Sequence, residues 1–103
     1  MTTLHEPLTL RQREILGEVL RPYIARVRRA ALFGSRAMGT ARPASDIDLA
    51  LWGDLTAKDV RQISSDFDES YLDVWVDVIA YPLVSEEGLR RHIDLVALDL
   101  RLS

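Results

Sequence analysis

The chain has 103 residues, of which 48% are hydrophobic and 28% charged, and this composition predicts one globular domain spanning residues 1–103. The absence of cysteine excludes disulfides, thiolate metal sites and cysteine nucleophiles. The net charge of −3, the lack of any apolar run near the ~20 residues of a membrane span and the lack of a recognisable signal peptide lead us to expect a cytoplasmic protein that binds neither nucleic acid directly nor membranes.

The first half of the chain predicts a helix and two strands joined by a turn. Apolar residues recur at helical intervals after Thr9 and Gln12, whose spacing is that of a capping box, and this predicts a helix from about residue 10 to 21. Residues 28–33 predict a short strand that stops at glycine. Residues 34–39 follow, with a serine that can cap a helical turn and a glycine that can end it. After a loop over residues 40–45, the alternation at 47–52 predicts the second strand.

The second half predicts two further helices around a third strand. Thr56 and Asp59 again have capping-box spacing and precede an amphipathic segment. Residues 71–80 are rich in Val, Ile, Trp and Tyr, which predicts the longest strand of the domain. Residues 85–87 open a last helix, and residues 98–102 have the alternation of an edge strand. The element order predicts an α+β (α/β-like) fold in which helices cover a small sheet.

Two carboxylates, Asp48 and Asp77, occupy strand positions where ionised groups are rarely tolerated without compensation. Asp46 and Asp48 point to the same face of the second strand because they are two residues apart. Asp77 is flanked by valines within the third predicted strand. Asp73 shares its face, but it is nearer the start of the strand, where solvent reaches it. We therefore select Asp46, Asp48 and Asp77 as the candidate acidic group.

Carboxylates grouped in this way repel each other, so a positive charge has to lie between them. The candidates are a pair of divalent cations, for which carboxylate oxygens are suitable ligands, or a guanidinium such as that of Arg36 or Arg42. Gly34 and Ser35 end a predicted strand and open a helical turn, which presents free backbone N–H groups to an anion. Together these residues predict a phosphate-binding turn that faces a metal site.

The remaining polar and aromatic candidates lack the spacing of a site. His5 and His92, the two imidazoles of the chain, have no metal-ligand or catalytic-triad spacing, and we assign both to exposed helix or tail positions. The tyrosines and tryptophans are assigned to core or interface packing.

The stretch from Leu32 to Leu51, extended to the third carboxylate, resembles the signature of the minimal nucleotidyltransferases, small members of the DNA polymerase β superfamily. That signature is Gly-Ser, a spacer of about ten residues, Asp-x-Asp and a third Asp on a following strand; here these are Gly34–Ser35, Asp46, Asp48 and Asp77. The resemblance implies a small mixed sheet flanked by helices. This chain departs from the signature at Met38, where a basic residue is common, and at Ala44, where Asp or Gly is common.

The resemblance also implies a reaction, which is magnesium-dependent transfer of AMP from ATP to a hydroxyl with release of pyrophosphate. Asp46 and Asp48 would hold two Mg²⁺ ions, and Asp77 would share one of them and help to deprotonate the hydroxyl. Gly34 and Ser35, with Arg36, would bind the nucleotide at its phosphates. Two cations ~4 Å apart stabilise both the attacking and the departing oxygen of such a displacement.

A partner protein is implied as well, because family members of this length are typically encoded beside a helical HEPN protein. That protein is an RNase toxin, which they neutralise, in some systems by adding AMP to a tyrosine. The expected function is therefore that of an antitoxin. Two alternatives stay open: neutralisation by binding alone, and the catalytic subunit of a two-subunit enzyme that modifies a small molecule such as an aminoglycoside.

Overall fold

A four-stranded mixed sheet forms the centre of residues 7–101, the part of the chain that the computed structural model describes. The strands are β1 (Val27–Phe33), β2 (Ile47–Gly53), β3 (Val76–Ala80) and β4 (Leu98–Asp99), in the order β3-β2-β1-β4 across the sheet. β1 runs antiparallel to β2 and to β4, whereas β2 and β3 are parallel. The predicted small mixed sheet with flanking helices is confirmed.

The helices begin largely where the sequence predicts. They are α1 (Leu10–Leu20), α2 (Gly34–Met38), α3 (Ala57–Asp68) and α4 (Glu87–Val96), with 3₁₀ segments at Arg21–Arg26 and Tyr81–Leu83. Both predicted capping boxes are formed, Thr9 with Gln12 at α1 and Thr56 with Asp59 at α3. Within residues 7–101 no helix combines the length and the apolar composition needed to cross a bilayer.

The sheet separates two apolar layers of unequal size. On one face, β-strand side chains pack with Leu16 and Leu20 of α1 and with Ile63 and Phe67 of α3. On the other face, α4 contributes Ile93 to a smaller buried cluster with side chains from β1 and β2. Successive side chains of a strand alternate between faces, so Asp48 shares the face covered by α4.

The predicted longest strand over residues 71–80 is wrong. β3 comprises five residues and is shorter than β1 and β2, which have seven each. Tyr71 is 90% exposed and Trp75 is 67% exposed. At the end of the segment before β3, the Trp75 carbonyl accepts a backbone hydrogen bond from the N–H of Ile47 in β2 at 2.9 Å. The side chains of residues 71–75 favour extended backbone, but a strand also needs a ladder of hydrogen bonds to an adjacent strand.

Two smaller expectations concern the ends of elements. Ser35 does not cap α2, because the helix already begins at Gly34, and the N-cap position, Phe33, makes no side-chain hydrogen bond. Gly39 ends α2 in the left-handed conformation with φ 77°, as predicted. The edge strand is present at Leu98–Asp99, and Leu102 lies outside the described residues, as does His5.

Candidate active site

Three adjacent strands bring the predicted site residues to one end of the sheet. Phe33, the last residue of β1, is the register partner of Asp48 near the start of β2, and Asp48 is the register partner of Asp77 in β3. Directly paired residues of neighbouring strands project from the same face, so Asp48 and Asp77 lie side by side. Asp46 precedes β2 by one residue, and Gly34 follows β1 directly.

Two features require glycine at position 34, its backbone conformation and the close approach of Asp48. Its φ of 68° lies in the left-handed region, which side chains rarely adopt. A Cβ atom at this position would collide with the carboxylate of Asp48, approaching its Cγ to 3.0 Å and its Oδ2 more closely still. The absence of a side chain at Gly34 therefore makes room for the carboxylate of Asp48, a candidate catalytic group, as well as for any phosphate that approaches the turn.

Asp48 is the carboxylate whose ionisation the fold most disfavours. Partial burial raises its pKa above the ordinary value of 3.8, and the negative charges of Asp77 and Asp46 raise it further. The positive charge of Arg36 acts in the opposite direction without overcoming these effects. A perturbed carboxylate in such a setting is a typical feature of a functional site.

The chemistry of the carboxylates suits a divalent cation. Among residues 7–101 no three Asp, Glu, His or Cys side chains stand in metal-binding geometry. Asp46 and Asp77 are exposed, and rotation of these side chains towards Asp48 is needed to complete a ligand set. Within the described chain no ion pair connects Arg36 or Arg42 with the three carboxylates, so the guanidinium alternative has no direct contact in its favour. Three hard oxygen donors that repel one another fit Mg²⁺.

Arg36 positions the loop before β2. It is 7% exposed, and its guanidinium donates hydrogen bonds to the carbonyls of Pro7 at 3.1 Å, Pro43 at 3.2 Å and Ser45 at 2.7 Å. These bonds hold the segment that leads directly into Asp46. These guanidinium donors are directed at the protein's own backbone, and the assignment of Arg36 to the nucleotide stays a prediction.

His92 is the site residue that sequence reasoning missed. Its Nε2 accepts a hydrogen bond from the Gly34 backbone N–H at 3.1 Å, and its ring meets Phe33 edge-on with centroids 6.2 Å apart. The Gly34 N–H, expected to be free for phosphate, is thus engaged. A separation of 58 residues hides the contact from motif reading. The available signal was helical periodicity, since His92 precedes the fully buried Ile93 and follows Leu89 by three residues.

Asp73 is not part of the group. It lies before β3, and its carboxylate accepts a hydrogen bond from Gln12 Nε2 at 3.1 Å, which ties the segment to α1. The structure therefore brings Asp77, and not Asp73, next to Asp48.

The aromatic residues divide between packing and exposure. Trp52 and Tyr81 stack with ring centroids 4.9 Å apart, as expected for packing residues. Trp75 is mostly exposed, and with Phe67 and Asp46 it lines a cavity of about 360 Å³ at the carboxylate end of the sheet. This end of the molecule thus offers open apolar and acidic surface beside the candidate site.

Comparisons with known proteins agree with the observed fold. The family model described as Polymerase beta, Nucleotidyltransferase matches residues 14–98. A toxin-antitoxin crystallised with AMP-PNP has a TM-score of 0.71 at 23% identity and covers 86% of this chain and 72% of that one. A mutant of the toxin-antitoxin MntA-HpeT has a TM-score of 0.69 at 19% identity, with coverages of 86% and 71%.

A more distant structure, assigned to the nucleotidyltransferases and from Sulfolobus solfataricus, has a TM-score of 0.54 at 18% identity. It covers 87% of this chain and 79% of that chain. No curated protein matches the sequence significantly. At these identities the likeness to solved structures shows a common fold.

Proposed function

Because the chain belongs to the polymerase beta nucleotidyltransferase family, we propose that it is a magnesium-dependent enzyme that transfers AMP from ATP to a hydroxyl of a partner toxin. The observation that carries this proposal is the register of three strands. It places Asp48 directly between Asp77 and the end of β1, where the Gly34–Ser35 turn begins. This order supports the proposed roles, in which Asp77 faces the acceptor, Asp48 holds metal and the turn binds phosphate.

In this reaction an acceptor oxygen attacks the α-phosphorus of ATP, a new P–O bond forms, and the bond to the β-phosphate breaks to release pyrophosphate. Divalent cations, when bound, supply charge stabilisation at the attacking and leaving oxygens. Asp46 and Asp48 would hold them together with Asp77. Asp77 lies on β3, at the edge of the sheet and exposed, so it is placed to take the proton of an arriving hydroxyl.

Phosphate binding rests on Ser35 more than on Gly34 in this chain. The Gly34 N–H donates to His92, whereas Ser35 is half-buried in the first turn of α2 and its hydroxyl has no hydrogen-bond partner among residues 7–101. We assign Ser35 to the departing phosphates and Gly34 to holding the turn close to Asp48.

The partner is proposed to be a helical RNase toxin of the HEPN type, modified on a tyrosine, in the cytoplasm. Support comes from two similar structures of toxin-antitoxins, one of them with AMP-PNP, an ATP analogue. The exposed aromatic and acidic surface around Trp75 and Asp46 supports it too, because large exposed aromatic side chains are frequent at protein interfaces.

Neutralisation by binding alone is the second candidate, and one observation favours it. Met38 is 51% exposed at the end of α2, where the family signature commonly has a basic residue. An uncharged side chain there offers nothing to a triphosphate, so ATP would bind more weakly than in relatives that keep the positive charge.

The test is incubation of the purified chain with labelled ATP, MgCl₂ and the protein encoded next to it. We expect label on a tyrosine of that partner, located by mass spectrometry, and at least a hundredfold loss of labelling in Asp48→Asn and in Asp77→Asn. Asp73→Asn is the matched control, because it removes an acidic charge from the same part of the chain and keeps an acceptor for Gln12.

Three outcomes separate the candidates. If Asp73→Asn lost as much labelling as Asp48→Asn and Asp77→Asn, the assignment of catalysis to these two carboxylates would be wrong. Absence of labelling together with neutralisation by both site variants would establish the binding-only function. Label that appears on an added aminoglycoside and never on the protein partner would indicate the small-molecule enzyme.

A further inference from the structure

One contact connects the two layers of the molecule at the candidate site. The Gly34 N–H donates to Nε2 of His92 at 3.1 Å, and His92 belongs to α4, the helix that covers the site face of the sheet. His92 is half-buried, and its ring packs edge-on against Phe33, the residue immediately before the turn. Among the described residues this is the side-chain hydrogen bond that reaches the backbone of the Gly34–Ser35 turn from another element.

Gly34 is therefore held from two sides. Its backbone N–H is bound to His92, and the space where a side chain would stand is filled by the carboxylate of Asp48. A shift of the turn towards Asp48 meets this carboxylate, and a shift away from α4 breaks the hydrogen bond. Because Ser35 is the next residue, its position relative to Asp48 depends on both restraints.

The chemistry of the contact sets what the side chain must provide. Nε2 acts as an acceptor, so the ring proton resides on Nδ1. A glutamine side chain carries an acceptor oxygen at a similar distance from its Cα, whereas phenylalanine keeps the ring against Phe33 and has no acceptor. These two replacements separate the hydrogen bond from the packing of the ring.

We infer that His92 is a positioning residue for nucleotidyl transfer: by accepting the Gly34 N–H it holds the Gly34–Ser35 turn in register with Asp48, and α4 thereby becomes part of the nucleotide site. This rests on the proposed function for its consequence in ATP binding. The restraint on the turn itself is a property of the fold and is measurable without nucleotide.

The experiment compares His92→Gln with His92→Phe in the full chain, with His92→Leu as a second variant that lacks an acceptor. Amide hydrogen exchange at Gly34, followed by NMR, reports the restraint. Calorimetric titration with ATP in MgCl₂ reports the site, and thermal unfolding reports folding. We expect Gly34 protection and ATP affinity near those of the unmodified chain in the Gln variant, and fast Gly34 exchange with roughly tenfold weaker ATP binding in the Phe variant, as loss of one hydrogen bond predicts.

The outcomes that overturn the inference are distinct from those that overturn the proposed function. Undiminished Gly34 protection in the Phe and Leu variants would refute it. So would failure of Gln to restore ATP affinity, which would assign the role to ring packing, and so would fast Gly34 exchange with unchanged ATP affinity. If the unmodified chain binds no ATP, the proposed function fails, and Gly34 exchange in the three variants then decides the inference by itself.

Discussion

At the scale of single residues, the site combines features that oppose stability. Asp48 is partly buried and faces Asp77 across a strand pair, and both conditions disfavour its ionised form. Gly34 adopts a backbone conformation that other residues rarely take. Groups that weaken the fold in this way are retained where function requires them, which sets the direction of the first two predictions.

Asp48→Asn should abolish transfer and slightly stabilise the chain. The substitution removes repulsion with Asp77 and Asp46, and because water screens a carboxylate that is only partly buried, we expect a gain below about 1 kcal/mol in the free energy of unfolding. Urea denaturation at neutral pH measures it. Asp46→Asn, at an exposed position, serves as the control and should change stability less. A loss of stability in Asp48→Asn would show that the carboxylate makes favourable contacts that its surroundings do not reveal.

Gly34→Ala should destabilise the chain more than Gly39→Ala. Both glycines have positive φ, 68° and 77°, but a Cβ at Gly34 collides with Asp48, whereas a Cβ at Gly39 meets nothing within 4 Å. We expect a loss of about 1 kcal/mol at Gly39 from backbone strain and roughly 3 kcal/mol or more at Gly34.

Chemical denaturation of the two variants gives both values. The double variant Gly34→Ala with Asp48→Ala should recover the part due to the collision and keep the part due to φ. Equal losses at Gly34 and Gly39 would contradict the close approach of Asp48.

At the scale of elements, the start of α3 is held by a local cap and by a distant ion pair. Thr56 and Asp59 form the capping box, and Asp59 also accepts hydrogen bonds from Arg26 at 2.7 and 3.2 Å. The bond from Arg26, followed by the backbone bond from Thr56, lowers the pKa of Asp59 from 3.8 to about 2. The ion pair connects α3 to the 3₁₀ segment before β1.

Asp59 should make stability depend on pH in acid. Since the folded state lowers its pKa, the ionised carboxylate stabilises the fold above about pH 4, and this contribution declines as the pH falls from about 4 towards 2. Asp59→Asn should therefore have a lower free energy of unfolding than the unmodified chain at neutral pH. The difference between the two should become smaller as the pH falls from about 4 towards 2, and urea denaturation at a series of pH values measures it. Arg26→Gln removes the main cause of the lowered pKa of Asp59, so with this substitution the effect of Asp59→Asn on stability should vary less with pH. A difference that is constant with pH would indicate that Asp59 acts through shape alone.

At the scale of the whole molecule, the site belongs to the thinner of the two layers. The large layer under α1 and α3 contains most of the buried side chains, while the α4 face has a buried cluster of Phe33, Ala50 and Ile93. Asp48, Asp77 and His92 share the α4 face. The chain thus separates a layer that mainly stabilises the fold from one that also shapes the site.

Ile93→Ala and Ile63→Ala test this separation, because both side chains are 0% exposed and lie on opposite faces of the sheet. Each should cost about 2–5 kcal/mol of unfolding free energy through lost burial and the cavity left behind. Only Ile93→Ala should also weaken ATP binding, because it loosens α4 beside His92. Calorimetric titration below the unfolding temperature of both variants measures this. Equal weakening in both would mean that ATP affinity follows general stability and not the α4 face.

Several features follow from short stretches of sequence. Both capping boxes are contacts over three residues, and the left-handed end of α2 requires only a glycine. Gly34, Ser35, Asp46 and Asp48 fall within one segment of the chain, so their spacing alone indicated a site. The caps are local features that a few consecutive residues form by themselves, whereas the approach of Gly34 to Asp48 depends on the pairing of β1 with β2.

Strand pairing and packing between layers decided the rest. The extent of β3 depended on which residues paired with β2, and residues 71–74 have no backbone hydrogen bond to β2 despite their composition. The Arg36 guanidinium donates to the backbone of the loop before β2, and His92 accepts a hydrogen bond from Gly34, 58 residues away in the chain. A hydrogen bond of this kind depends on how α4 packs over the sheet, and that arrangement is a property of the folded core as a whole. The sequence by itself therefore determined the motif and its chemistry, and the tertiary structure determined which side chains support it.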